Sequence, residues 1–295
     1  MNLREIHARA KAAAAVARLP LRSGQWSGTA GTVLGRGTGS SIDFQDHRHY
    51  VPGDDPRHIN WQAYARTGQL SMKLYREEVT PRIDLVYDAS GSMFLDAAKA
   101  ARVWELFYFC LESGLRLGGH LKLFVLGRAA GDLPVELPVE RALADGWPVP
   151  ATGKPPAVAE PAGLADQLDR VPLRAGSLRV LVSDLLDESP PGRAAARLGA
   201  ARSRGIVLAP SAAGEREPDW DGNIDFEDAE RAARSRQRVD PGMLDRYRQA
   251  YGRHFAAWRE ACARRGLGFA RVADTGDLLA ALRGEAVPCG VIDMA

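Results

Sequence analysis

The run Ile83-Asp84-Leu85-Val86-Tyr87-Asp88-Ala89-Ser90-Gly91-Ser92-Met93 is an apolar stretch ending in an acid, followed at two-residue steps by two hydroxyls. Three oxygen donors at a strand tip suit a hard, octahedral, partly hydrated cation: Mg2+ first, with Mn2+ and Ca2+ as alternatives. An open parallel sheet binds ligands outside the carboxyl ends of its strands, which is where Asp88, Ser90 and Ser92 are expected. A plainer reading makes the three residues caps of the helix that follows, since Ser and Asp are favoured there on physical grounds alone. A second acid ends another apolar run, Val180-Leu181-Val182-Ser183-Asp184. Both tips open on the same edge of a parallel sheet, so Asp88 and Asp184 are expected to face one crevice. Carboxylates drawn together out of water repel, and a divalent cation is the simplest compensation. Read as structure alone, Asp184 caps the next helix, and Asp187 and Glu188 are solvated.

The elements that must position these residues are legible in the periodicity. From Arg82 onward the chain alternates strand and helix, and the strands are almost continuously apolar, as in a sheet covered on both faces. The fold class expected is α/β, a doubly wound, mostly parallel sheet spanning residues 81–295, after a small helix-plus-strand region at residues 1–80. Strands are expected at 121–126, 178–182, 206–209 and 266–272. Behind Ser92 a helix places Val103, Leu106, Phe107, Cys110 and Leu111 on one stripe. Asp240 and Pro241 open another, with Leu244, Tyr247, Tyr251, Phe255, Trp258 and Cys262 at three- and four-residue steps. Thr275 is expected to cap a last helix. Residues 131–162, rich in Pro, Ala and Gly, show no packing period and read as a long irregular connection.

In the N-terminal region, residues 2–19 read as an Ala-rich helix stopped by Pro20. Residues 42–51 read as extended, and residues 70–78 alternate as a strand. Between them Gly53 supplies a tight turn, Asp54 or Asp55 an N-cap and Pro56 the first helical position, opening a helix toward Arg66 that Gly68 ends. Trp61 is expected to bury its indole and anchor this arm.

Composition narrows the function classes. The chain has 295 residues, and 39 basic side chains against 37 acidic ones leave a net charge of +2, so no global field argues for nucleic acid or a membrane surface. Arg193, Arg197, Arg202 and Arg204, like Arg231, Arg234, Arg236 and Arg238, lack interleaved aromatics and read as solvated helix faces. Cys110, Cys262 and Cys289 are odd in number and widely spaced, which suits a reducing compartment. No apolar run reaches membrane-spanning length, so a cytoplasmic location without direct membrane insertion is expected. His47 and His49 share a face of an extended segment but have no third ligand at sensible spacing. Gly35-x-Gly-x-Gly39 lacks the Lys-Ser/Thr of a phosphate loop.

The Asp88-x-Ser90-x-Ser92 pattern resembles the metal-ion-dependent adhesion site of von Willebrand factor type A domains. A longer series, Asp43-Phe44, Arg48-His49-Tyr50-Val51-Pro52-Gly53-Asp54-Asp55-Pro56-Arg57-His58-Ile59-Asn60-Trp61 and Ala65-Arg66, resembles the signature of the domain-of-unknown-function family 58. That family carries a von Willebrand factor A-like domain directly behind the signature, as here. The sequence departs from the pattern twice. Asn60 stands where aspartate is usual, and the third metal loop has no securely placed threonine: Thr152 is one choice, while the better register puts Ala162 or Gly163 there.

The resemblance implies a non-enzymatic role: a metal-dependent adaptor or accessory factor for a MoxR-type AAA+ ATPase, or for that ATPase's client, in complex assembly. The expected ligands are Asp88, Ser90, Ser92 and Asp184. One rival is a Mg2+-dependent phosphatase-like enzyme with Asp88 as nucleophile, although Ser90 replaces the acid such enzymes place two residues on. The other is a structural assembly protein whose metal site is empty.

Overall fold

The computed structural model describes residues 2–21, 30–38, 44–127, 129, 131–145, 160–231 and 233–295. Asp43, Gly39 and Thr152 lie outside them, so the readings resting on those residues have no structural counterpart here. In chain order the elements are α1 (Leu3–Ala13), β1 (Ala17–Arg18), β2 (Ala30–Thr38), β3 (Phe44–His49), α2 (Trp61–Thr67), β4 (Ser71–Val79), β5 (Arg82–Tyr87) and α3 (Ala97–Arg116). Then come β6 (His120–Val125), β7 (Val135–Leu137), α4 (Val139–Asp145), α5 (Leu164–Arg170), β8 (Leu178–Val182), α6 (Pro191–Gly199), β9 (Arg204–Ser211) and α7 (Ala213–Arg216). The chain closes with β10 (Gly222–Glu227), β11 (Arg234–Val239), α8 (Pro241–Ala263), β12 (Gly268–Ala273), α9 (Leu278–Ala281) and β13 (Asp293–Met294).

Two compact units divide the chain: Met1–Pro20, Arg82–Arg116 and His120–Ala295 form the larger, and Leu21–Pro81 with Leu117–Gly119 the smaller. The first twenty residues therefore join the sheet unit and not the N-terminal region with which residues 1–80 were grouped. The reason is chemical. The helix ends at Ala13, earlier than an Ala-rich run stopped by Pro20 suggests, and Ala17–Arg18 then pair with Asp293–Met294 as a short antiparallel ribbon. Along α1, Arg9 Nε donates to Glu105 Oε1 at 2.9 Å and His7 Nε2 meets Glu112 Oε1 at 2.7 Å, both on α3.

The larger unit is built on a six-stranded sheet in the order β12-β9-β8-β5-β6-β7, parallel except for the edge strand β7. From β5 the chain crosses through α3 to β6 on one side, then returns to β8 on the other. The carboxyl ends of β5 and β8 therefore flank the point where the strand order reverses, the position at which open α/β sheets bind ligands. β5 is buried along its length: Val86 packs into the core formed with α5, α6 and α8, while Tyr87 points the other way and donates to the Leu106 and Phe107 carbonyls of α3. At the opposite end of β5, buried Asp84 accepts from Arg174 Nε at 2.7 Å and Ser177 Oγ at 2.8 Å. That acid is consumed structurally.

Several expectations need correction. The span 131–162 contains β7 and α4, short elements below the length at which a period is visible. Arg234, Arg236 and Arg238 lie on β11 and Arg231 in the turn before it, not on a helix; the run Arg-Ser-Arg-Gln-Arg-Val alternates with the period of a strand. Arg204 likewise opens β9. The last helix is capped by Asp277, whose carboxylate accepts from Ala280 N, and not by Thr275. Asp240 caps α8 as expected, and Tyr251, Phe255, Trp258 and Cys262 are buried along it.

In the smaller unit β4 pairs antiparallel with β2 and β3. The Pro-Gly-Asp-Asp turn is closed by Asp54, which takes both guanidinium nitrogens of Arg48 at 2.7 and 2.5 Å and the Val51 amide at 2.9 Å. Asp55 caps a single 3-10 turn at Pro56–His58, and Arg57 beside it holds its carboxyl at a pKa of about 2. The α-helix proper starts only at Trp61, with Asn60 as its cap: Asn60 Oδ1 accepts from Ala63 N, and its amide nitrogen donates to His47 Nε2 at 2.6 Å. The expectation of a buried Trp61 does not hold. Its indole is 58 % exposed and meets Tyr64 edge-on, because helical spacing turns both rings to the same open face. Trp61→Ala should therefore change stability by less than about 0.5 kcal/mol. A loss several times larger in a denaturation midpoint would show that the indole is covered in solution.

Candidate metal and ligand site

Parallel pairing sets the site. β5 and β8 run in register with Tyr87 opposite Val182, and the Asp88 amide donates to the Val182 carbonyl at 3.0 Å, so Asp88 and Ser183 emerge side by side. Ser183 Oγ donates to Asp88 Oδ2 at 2.6 Å, and the Ser90 amide donates to Asp88 Oδ1 at 2.8 Å. Ser90 Oγ and Ser92 Oγ lie 3.2 Å apart. Asp88, Ser90, Ser92 and Asp184 all line one cavity of about 280 Å3, together with Ala162, Gly163, Asp187, Glu188, Asp228 and Glu230. The sequence-predicted residues are thus brought together. Ala162 and Gly163 also border the cavity, as the third-loop register requires, but without a hydroxyl.

The two strand-end acids differ in one respect that the sequence reading missed. Lys99, one turn into α3 and only 1 % exposed, sends its ammonium to Asp184 Oδ2 at 2.6 Å, to Glu215 Oε1, and to the Ser92 carbonyl at 3.0 Å. Burial works to lower its pKa, but Asp184 and Glu215 together outweigh that and raise it, so the amine stays charged at neutral pH. Glu215 is pushed up by its own burial, an effect that Lys99 opposes. A signal was present: Lys99 stands four and seven residues before Val103 and Leu106, on the stripe that should be apolar.

Asp184 is further fixed by its surroundings. Its amide meets Met93 Sδ at 3.1 Å, and its Oδ1 accepts from Leu186 N at 3.2 Å. Leu185 between them takes φ +62°, a left-handed conformation costing a non-glycine residue about 1–2 kcal/mol. It is held there by complete burial of its side chain, by Ser183 Oγ on its amide, and by His254 Nε2, which donates to its carbonyl at 2.7 Å.

Asp88 has hydrogen-bond donors but, among the described residues, no cation. Burial, then the Asp184 charge, push its carboxyl up to about 6, against the opposing pull of Ser183 and Ser90. Of the two strand-end acids it is the one without an ion pair among the described residues. The donor set suits a hard cation: two hydroxyls 3.2 Å apart approach the separation of about 3 Å between neighbouring ligands of an octahedral Mg2+. Among the described residues there is no group of three His, Cys, Asp or Glu side chains arranged for a metal, so this site would rest on hydroxyls and one acid.

Residues 46–134, from within β3 to just before β7, match the model of a family described as "Protein of unknown function DUF58". No curated protein matches. Among solved structures, the chain is similar to the conserved hypothetical protein BatB of Bacteroides thetaiotaomicron, at 13 % identity and TM-score 0.37, covering 71 % of this chain and 98 % of that one. It is also similar to an aerotolerance-related membrane protein of Bacteroides fragilis, at 14 % identity and TM-score 0.37, with the same coverage. Both likenesses are distant. Among the described residues no helix is long and apolar enough to cross a membrane.

Two stability measurements follow. Lys99→Met leaves Asp184 buried without a counter-ion and should cost about 3–5 kcal/mol in denaturant unfolding; a change under 1 kcal/mol would mean that the ammonium is solvated. For Asp88, the folded protein holds the proton more tightly than the unfolded chain. Its contribution is therefore favourable below the unfolded value near 4 and is lost as pH rises through about 6. In cation-free buffer Asp88→Asn should be more stable than wild type at pH 7 by up to about 3 kcal/mol, the advantage vanishing near pH 4. Parallel pH profiles for the two proteins would contradict this.

Proposed function

We propose that this protein is a binding module and not an enzyme, in which Asp88, Ser90 and Ser92 hold a divalent cation, Mg2+ or else Mn2+ or Ca2+, that receives a carboxylate from a partner protein. The observation carrying this reading is the asymmetry of the strand-end acids: Lys99 already neutralises Asp184, while Asp88 stands uncompensated beside two hydroxyls. Asp184 then stands beside the cation without holding it directly, since its Oδ2 is taken by Lys99 and its Oδ1 by a backbone amide. When bound, the cation supplies a positive seat at the sheet edge. Ser90 and Ser92 contribute neutral oxygens, Asp88 a single negative charge, and an incoming Asp or Glu is the ligand such a poorly neutralised centre favours.

The strand order, with an antiparallel edge at β7 and the switch point at β5 and β8, supports a von Willebrand factor A-like reading of the larger unit. The partner class rests on the resemblance carried by the Arg48 to Trp61 series. On that basis the partner is a MoxR-type AAA+ ATPase or its client, met in the cytoplasm. The nucleophile reading of Asp88 has less support: Ser90 is engaged with Ser92 where an acid is needed, and Lys99 is committed to Asp184 and Glu215.

Mg2+ or Mn2+ at about 100 times its dissociation constant should add about 2.7 kcal/mol to unfolding. Asp88→Ala and a Ser90→Ala, Ser92→Ala double variant should show no such gain. Affinity capture of the MoxR-type ATPase should fail with chelator and with Asp88→Ala while the fold survives. Equal recovery in all arms would remove metal-gated binding, and Mg2+-dependent ester turnover lost in Asp88→Asn would restore the enzymatic reading.

A further inference from the structure

The β10–β11 hairpin was absent from the sequence reading, yet its tip lies on the candidate site. Among the described residues the two strands pair only with each other, from Gly222 opposite Val239 to Glu227 opposite Arg234. Their outer rungs are charge pairs, Arg234 with Glu227 at 3.1 Å and Arg236 with Asp225 at 3.5 Å, and β11 is exposed up to Val239. Trp220, two residues before β10, packs edge-on against Phe226 near the tip end of β10 and against Tyr247 of α8. An isolated two-stranded hairpin is marginal in water, so the few side chains that hold it, Trp220 and those of its turn, decide whether the turn stays in place.

That tip is shaped for its resting place. Asp228 Oδ1 accepts from the Glu230 and Arg231 amides at 2.8 and 2.9 Å, bending the turn so that Glu230 projects into the cavity. Glu230 Oε1 accepts from the Ser92 amide at 2.8 Å. Gly91 makes the approach possible: a Cβ there would run into the Ala229 carbonyl and lie 3.3 Å from Glu230 Oε1. Gly91 has no left-handed φ, so its missing side chain serves this contact and not a turn.

We propose that the β10–β11 hairpin is a latch: Glu230 sits on the Ser92 amide in the place that a partner's carboxylate takes, so hairpin and acidic partner compete for one corner. This deepens the reading of the site given above and names its regulation. A carboxylate on a backbone amide is a charge-assisted hydrogen bond that a second carboxylate can replace one for one. An acidic side chain from a partner therefore displaces Glu230 without leaving the amide unsatisfied, and the freed turn lifts from Gly91 and Ser92 while Trp220 stays packed on Tyr247.

The test follows the Ser92 amide itself. In Glu230→Ala, and independently in Gly91→Ala, hydrogen exchange at Ser92 and along 228–234 should speed by about tenfold relative to wild type, with Glu230→Gln between them. Sodium acetate serves as the carboxylate probe, with sodium chloride at equal ionic strength as control. Acetate should shift the Ser92 amide resonance in Glu230→Ala at concentrations that leave wild type unmoved. Unchanged exchange in both Glu230→Ala and Gly91→Ala, or acetate shifts equal in wild type and Glu230→Ala, would overturn the latch. Failure of the metal reading looks different: no heat of Mg2+ binding in any variant, with the exchange result intact.

Discussion

A buried ammonium survives only where carboxylates surround it, and Lys99 meets that condition between Asp184 and Glu215. The rest of the site depends on this triad. It ties the start of α3 to the end of β8 and to α7, and it carries the loop Gly91–Phe94 with it, because the same ammonium bonds the Ser92 carbonyl. With Asp184 neutralised in place, the parallel pairing of β5 and β8 can bring a second carboxylate alongside without a second buried cation from the protein.

The cost of that second carboxylate is visible in its surroundings. Asp88 has two hydrogen bonds, from Ser183 and Ser90, and a carboxyl pushed up to about 6. A left-handed Leu185 next to Asp184 stores further strain at the same edge. Strain and an uncompensated charge placed together at one sheet edge support the proposed cation site. Glu230 adds a carboxylate to the same cavity, engaged with the Ser92 amide.

How much of this was legible depended on the length of the pattern involved. Asp88, Ser90, Ser92 and Asp184 were found because continuous apolar strands point to them, and parallel topology then forces strand ends to one edge. Lys99 was missed because a helix stripe is read by its apolar members, and a single lysine four residues before Val103 was passed over. The hairpin was missed because arginines at 234, 236 and 238 were weighed by charge and not by their period of two, while Ile224 and Phe226 opposite were too few to mark a strand. Trp61 was misplaced because a large apolar side chain was assumed buried; the short α2 leaves it and Tyr64 on an open face. Around Asp54 the signature closes its own turn, with Arg48 and Asp54 satisfying each other.

The division of labour between the two acids is the central claim, and anomalous diffraction from crystals soaked in Mn2+ tests it most directly. The account predicts one Mn2+ in the cavity, coordinated by the Ser90 and Ser92 hydroxyls on the Asp88 side, with Lys99 still bonded to Asp184. Mn2+ seated on Asp184 with Lys99 displaced, or no Mn2+ in the cavity at saturating concentration, would contradict it.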